Sequence, residues 1–439
     1  MEPIKSLLVL SFLTMVTLSM CHPTATNGRF YRNDDAIMDY DGYQLIRIKP
    51  MNMEQITILK QLENEYEMDY WNPIVNNEHD QQPIMTIIDP QRLEFLSQLN
   101  QSNIEYDILS NNYKQIIDQE RFEMYTAKLL RSNYYGENFD YGNYHTYDEL
   151  NEQINYLATK FPENAEKISI GYSYEQRNIM GIKIVNNKQN NSSQIIFVEC
   201  GIHAREWISP AYCIWLAGQL LTNKRLSSLN ERYQFIIIPS LNVDGYVFTH
   251  THQRLWRKTR SRQYGTNCIG ADPNRNWAIS WCQKGSSLDP CQDTYCGRGP
   301  FSEIEVRQMA NFVHRYEGKI FAYFAIHSYS QLWMFPYGYT ARRVDNYNQL
   351  RIASLAAVQS IRSLFGTQFK FGSIAEIIYS ASGSSIDYVY DSLNVKNTFA
   401  LELRDKGRYG FQLPNWQIIP TCVETLAGMR TAIDVLDGF

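Results

Sequence analysis

Four stretches in the second half of the chain are apolar at almost every position: Ile195-Ile196-Phe197-Val198, Phe235-Ile236-Ile237-Ile238, Phe321-Ala322-Tyr323-Phe324-Ala325-Ile326 and Thr398-Phe399-Ala400-Leu401. Helix-length segments separate them. Such runs predict strands buried on both faces. The expected fold is therefore α/β, a mixed, largely parallel, doubly wound sheet with helices on both faces. Polar residues follow or close three of the runs: His203, His327 and Glu402. Ligands of open α/β sheets bind just beyond the carboxyl ends of the strands.

The first part of the chain reads differently. Tyr43 to Ile48 alternates like a strand, and Met53 to Glu67 carries Ile56, Ile58, Leu59 and Leu62 at helical spacing. Ile84 to Ile88 reads as a strand, Pro90 to Leu99 as a helix opened by proline, and Glu105 to Leu109 as a third strand. This pattern predicts a small α+β domain over residues 22–113. A polar stretch with Arg121, Lys128 and Arg131 follows, and residues 114–131 are expected to form a linker open to a trypsin-like protease. A charged helix is the competing reading of the same residues. The large domain then spans 132–439.

Ahead of all this, Lys5 precedes the apolar run Leu7 to Leu13, with Met15, Val16 and Leu18 behind it and Ser19, Cys21 and Pro23 after. A basic start, a short apolar core and small residues predict a secretory signal over residues 1–21, and hence a secreted, extracellular protein. No later stretch is long and apolar enough to span a membrane. The formal charge of −5 argues against a nucleic-acid partner. Charge is also divided: residues 22–131 carry 18 acidic and 10 basic side chains, against 27 and 30 from Ser132 onward. An acidic segment is thus set against a slightly basic body.

Four of the eight cysteines crowd between 268 and 296, which in an oxidising compartment favours disulfides. A zinc ribbon is disfavoured because no pair has C-x-x-C spacing. Asn100, Asn190 and Asn191 open N-x-S/T motifs suited to glycosylation.

Candidate chemistry begins at Gly201-Ile202-His203-Ala204-Arg205-Glu206-Trp207, where one turn can aim a histidine and a glutamate at one ion. Catalytic zinc takes three protein ligands of this kind plus water, and His327 is available as the third. Surface turns carry the same H-x-x-E spacing, so the pair alone does not decide.

His203-Ala204-Arg205-Glu206-Trp207, Arg254 to Arg260, Asn274-Arg275-Asn276-Trp277, Ile326-His327-Ser328-Tyr329-Ser330 and Glu402-Leu403-Arg404-Asp405 occur in one order. With Tyr379 to Gly383 and Gly407 to Phe411, they resemble the pancreatic-type metallocarboxypeptidases of the A and B kind. The resemblance covers residues 140 to 439, and the segment before it looks like the family's ferredoxin-like activation domain. It implies one zinc ion per chain on His203, Glu206 and His327. Glu402 is implied as general base and acid, and Arg257 as the oxyanion stabiliser. Arg275, helped by Asn274 and Tyr379, would grip the substrate's terminal carboxylate, while Arg205, Ser328 and Tyr329 would touch residues upstream. Without the resemblance, Glu402 reads as one half of a buried ion pair and Arg257 as one cation in a surface charge run.

The resemblance further implies the pairs Cys200–Cys213, Cys268–Cys291 and Cys282–Cys296, as in B-like members, with Cys422 free. The positions matching the specificity pocket are Met334, Gly338, Ile374, Ile378, Ala381, Ile386 and Ala400. B-type enzymes place an aspartate at the position of Ile386. An apolar pocket cannot compensate a buried cation, so an A-type preference for aromatic or large aliphatic C-terminal residues is expected. Ala400 leaves room for a ring.

The implied protein is a secreted monomeric zymogen that digests peptides from their C-termini. A peptide-binding relative without activity would have lost Glu402 or a zinc ligand, and neither is lost. An esterase or amidase on the same site is separable by comparing a free-acid peptide with its amide.

Overall fold

The computed structural model describes residues 37–66, 68–71, 83–130, 136–185 and 194–439. The expected signal over 1–21, Cys21, Arg131, and Asn190 and Asn191 lie outside them. Three strands form the small N-terminal sheet: β1 (Gln44–Lys49), β2 (Ile84–Ile88) and β3 (Glu105–Ser110). β1 is central and antiparallel to both neighbours. The helices Met53–Glu65 and Glu94–Gln101 bury Leu59, Leu62, Phe95 and Leu99 against Ile46, Ile48, Ile84 and Ile88. Asn52 caps the first helix by accepting from the Gln55 amide at 2.9 Å.

In the segment expected as a linker, residues Tyr113–Leu129 form a 17-residue helix, the competing reading of that stretch. Asn112 Oδ1 accepts from the Lys114 amide at 3.1 Å at its start, and Tyr113 and Ile117, one turn apart, are buried. The polar composition masks this narrow apolar stripe, which packs with Tyr40, Trp71 and Phe411.

The large domain is built on eight strands: β4 (Ala165–Tyr172), β5 (Asn178–Ile184), β6 (Gln194–Cys200), β7 (Tyr233–Ile238), β8 (Ile320–His327), β9 (Leu332–Phe335), β10 (Lys370–Ser373) and β11 (Asn397–Glu402). Their order is β10-β9-β11-β8-β6-β7-β5-β4. The central strands β11, β8, β6 and β7 are mutually parallel, β10 is parallel to β9, and the β11–β9, β7–β5 and β5–β4 pairs are antiparallel. Alternate residues of β6 serve opposite cores. Ile196 and Val198 face the helices Ile208–Thr222, Tyr347–Phe365 and Ile418–Leu436; Ile195 and Phe197 face Ile304–His314 and Ser385–Ser392. That double burial accounts for the unbroken apolar runs. The disulfides are Cys200–Cys213, Cys268–Cys291 and Cys282–Cys296, and Cys422 is buried and free, as the resemblance implied. No helix among the described residues is long and apolar enough to cross a membrane.

Candidate zinc and peptide-binding site

The carboxyl ends of β6, β8 and β11 converge on one point. In register, Glu402, the last residue of β11, lies opposite His327, the last residue of β8. β6 ends at Cys200, and Gly201 turns the chain with φ +63°; a Cβ there would lie 2.9 Å from Ser240 Cα. The turn thus requires glycine, and it delivers His203 and Glu206 to the same place.

His203 Nδ1 is 2.7 Å from Glu206 Oε1, His327 Nδ1 is 3.2 Å from Glu206 Oε2, and the two Nδ1 atoms are 3.3 Å apart. All three side chains are buried, and one ligand atom from each lies within 4.8 Å of the others. Two imidazole nitrogens and one carboxylate are the donor set of a catalytic zinc site that leaves a position open. Burial opposes ionisation of Glu206, yet the two imidazoles hold its carboxyl below the ordinary range. The residues therefore fit the ion.

Asp272, which the sequence reading did not single out, orders the surroundings. Its Oδ1 is 3.2 Å from His203 Nε2, leaving Nδ1 of that ring to the ligand cluster. Its Oδ2 accepts from Arg257 Nη2 at 2.8 Å and Nε at 3.2 Å, and Oδ1 also accepts from the Asn274 amide at 2.8 Å. Burial opposes its charge, but Arg257, Arg275 and His203 hold the carboxyl well below its usual range. Such outer carboxylates fix the tautomer and orientation of a metal-ligating histidine.

One cavity of about 120 Å³ joins His203, Glu206, His327, Glu402 and Arg257 to Asn274, Arg275, Ser328, Tyr329 and Tyr379. Met334, Ile374, Ile378, Ala381 and Ala400 supply its apolar wall. Arg275 Nη2 donates to Tyr379 Oη at 2.8 Å. Its loop is packed closely by Gly383 (φ +74°), where a Cβ would meet Arg275 O at 2.3 Å. Glu402 is half-buried at the end of β11. Burial, then the Glu206 charge, push its carboxyl up to about 8, against the opposing pull of His327 and Arg257.

Three expected residues do not border the cavity. Ile386 is buried behind its wall in the core that also holds Met334, Ile374 and Ala400. Gly338 lies behind Ala381 and Ile374, its amide donating to the buried Asp387 carboxylate at 2.9 and 3.0 Å. Arg205 is turned to the N-terminal domain: Nη1 donates to Asp69 Oδ2 at 2.9 Å, and the guanidinium lies 4.4 Å from the Phe411 ring centroid. Trp71, also from that domain, lines the cavity and packs on Phe411 at 5.2 Å between centroids. Arg254 donates to Glu120 of the helix Tyr113–Leu129 at 2.6 and 3.0 Å. Asp69, Trp71 and Glu120 carried no local signal, since their partners lie more than 130 positions away.

Two imidazoles and a carboxylate gathered at the carboxyl edge of the sheet, with a guanidinium and a half-buried glutamate beside them, have the donor set and polar groups of a metallohydrolase centre. Residues 150–428 match the family described as zinc carboxypeptidase, and residues 46–120 match the carboxypeptidase activation peptide. The chain belongs to the zinc carboxypeptidase family. It is 39% identical over 402 residues to carboxypeptidase A2 of Mus musculus, covering 90% of this chain and 93% of the relative. It is 37% identical over 400 residues to zinc carboxypeptidase A 1 of Anopheles gambiae, covering 90% of each. The crystal structure of thrombin activatable fibrinolysis inhibitor superposes with a TM-score of 0.81 at 34% identity, covering 90% of this chain and 99% of that one. The protein is thus a metallocarboxypeptidase, a hydrolase of peptides with an activation segment, related to both A and B carboxypeptidases.

Proposed function

We propose that this chain is the secreted, monomeric precursor of a digestive carboxypeptidase of A-type preference, with one zinc ion held by His203, Glu206 and His327. The observation that carries the preference is the cavity wall. Met334, Ile374, Ile378, Ala381 and Ala400 are apolar, and the acidic residues bordering the cavity are Glu206 and Glu402, both at the ligand end. A C-terminal lysine or arginine finds no counter-charge against that wall, while each buried methylene of an apolar side chain gains about 0.8 kcal/mol. Ile386, behind the wall, supplies no charge either.

Zinc, when bound, supplies a Lewis acid that polarises the scissile carbonyl and lowers the pKa of water. Arg275 pairs its planar fork with the substrate's free carboxylate, a geometry lysine cannot match, and Asn274 and Tyr379 complete the grip. This selects the last peptide bond. Glu402, on the cavity wall beside the ligand cluster, takes the proton from the attacking water at its carboxylate and returns it to the departing amine. Arg257, anchored by Asp272, donates to the oxygen that becomes negative in the tetrahedral intermediate. Arg205, Ser328 and Tyr329 receive the residues upstream once the N-terminal domain has left.

The precursor is held inactive by the domain over 22–113. Trp71 at the cavity, Asp69 on Arg205 and the small remaining volume support that reading, because a 120 Å³ space is well below the roughly 300–1,000 Å³ of ordinary ligand sites. A trypsin-like protease cutting near Arg131 would release the mature chain from about Ser132. The deciding experiment treats the precursor with trypsin and compares kcat/KM for two peptides that end in Phe and in Arg. A ratio favouring Phe by at least tenfold is expected. A preference for Arg overturns the A-type reading and leaves the family intact.

A further inference from the structure

A second, larger cavity of about 460 Å³ lies away from the zinc site, between the N-terminal domain and the large domain. Leu109 of the N-terminal domain, with Ile116 and Met124 of the helix Tyr113–Leu129 that follows it, forms one wall; Tyr144, Tyr409 and Leu413 of the large domain form the other. Its lining atoms are chiefly apolar, and its volume falls within the roughly 300–1,000 Å³ of small-molecule sites.

One polar side chain in this wall is unusual. Gln412 is 6% exposed, and neither its Nε2 nor its Oε1 has a hydrogen-bond partner among the described residues. A buried amide left without partners is costly, so a group that pairs with it is favoured. The charged residues at the rim are otherwise engaged. Glu120 accepts from Arg254, Glu123 accepts from Gln119 at 2.8 Å, and Arg408 lies over the Tyr409 ring at 5.3 Å. A carboxylate ligand would sit near two carboxylates, and an ammonium has no acceptor to offer the Gln412 donor. A neutral amide offers one donor and one acceptor side by side, which is what the glutamine lacks.

We infer that this interdomain cavity binds a neutral amide with an aliphatic body, paired to Gln412, and that such a ligand locks the precursor. Because the two walls belong to different domains, the ligand binds only while they are together. By linkage it tightens their association by the factor 1 + [L]/Kd, about 100-fold at 100 times Kd. The cut N-terminal segment would then stay longer on the enzyme, and activation would be delayed.

The test titrates full-length precursor with octanamide, octanoate and octylamine by calorimetry, and follows the melting temperature with each. Saturable one-to-one binding of octanamide is expected, at least tenfold tighter than the two charged probes, with a rise in melting temperature. Gln412→Leu should weaken octanamide at least tenfold, and Ile116→Trp, which fills the cavity, should abolish binding. Equal affinity for the three probes, no saturable binding by the unmodified precursor, or unchanged octanamide binding in Gln412→Leu overturns the inference.

Discussion

The carboxylate of Asp272 contacts Nε2 of His203 at 3.2 Å, on the far side of the ring from the nitrogen that faces Glu206 and His327. The same carboxylate accepts from Arg257. One buried acid therefore orients both the His203 imidazole and the Arg257 guanidinium.

Replacing Asp272 with asparagine should loosen both. The amide keeps the size but loses the charge that favours the correct tautomer, and zinc affinity is expected to drop about 10–100-fold. Chelator competition followed by metal analysis measures it. An unchanged affinity would show that Asp272 does not orient His203 toward an ion.

Glu402→Gln separates chemistry from binding. The amide retains the side chain's shape at the end of β11, yet cannot accept a proton at working pH. Zinc content and KM should stay near those of the parent, while kcat drops by about 100- to 10,000-fold. Near-normal turnover of the trypsin-cut variant would remove Glu402 from the mechanism.

The domain contacts make a third prediction. Asp69 and Arg205 form a buried pair across the interface, and Trp71 borders the cavity. Removing one partner of a buried pair costs up to about 3–5 kcal/mol, and here Arg205 keeps Asp293 at 3.5 Å, so Trp71 is removed as well. Asp69→Ala combined with Trp71→Ala should therefore speed loss of the cut segment by at least about 100-fold and raise the activity of the uncut precursor. Gel filtration after limited trypsin treatment and a small-peptide assay report the two effects. A precursor that stays as silent as the parent would mean that other contacts alone close the cleft.

The ligand cluster was legible because buried strands announce themselves as apolar runs, and His203, His327 and Glu402 break the pattern where those runs end. The roles of Arg257, Arg275 and Tyr379 were not legible from local pattern, since arginines in a charge run and one of many tyrosines look alike; only the order of motifs singled them out. Asp272 precedes Pro273 and reads as turn punctuation. Its burial depends on Arg257 and His203, which fold against it from 15 and 69 positions away. The segment of the helix Tyr113–Leu129 left both a linker and a charged helix open for a related reason. Glu120 looks like solvated charge until Arg254, 134 positions on, covers it.

The last prediction concerns the base of the site. His250 sits in the helix Val243–Thr251, its ring stacked on Trp207 with centroids 4.0 Å apart and planes 8° apart. Trp207 follows Glu206 directly, so this stack supports the turn that carries His203 and Glu206. Burial first, and then the Arg254 charge, push the His250 imidazole down to about 3. The unfolded chain binds a proton near pH 6.5 and the folded chain does not, so the folded state favours the neutral ring. The stability from this group is complete above pH 6.5 and is lost progressively as pH falls toward 3. At pH 5 the loss amounts to about 2 kcal/mol, from 1.36 kcal/mol per pH unit. His250→Phe keeps an aromatic ring on Trp207 and removes the titration. Urea unfolding followed by tryptophan fluorescence at pH 7.5 and pH 5 should show the parent losing about 2 kcal/mol more than the variant between the two conditions. Identical pH dependence in both proteins would mean that His250 accepts its proton without leaving the fold.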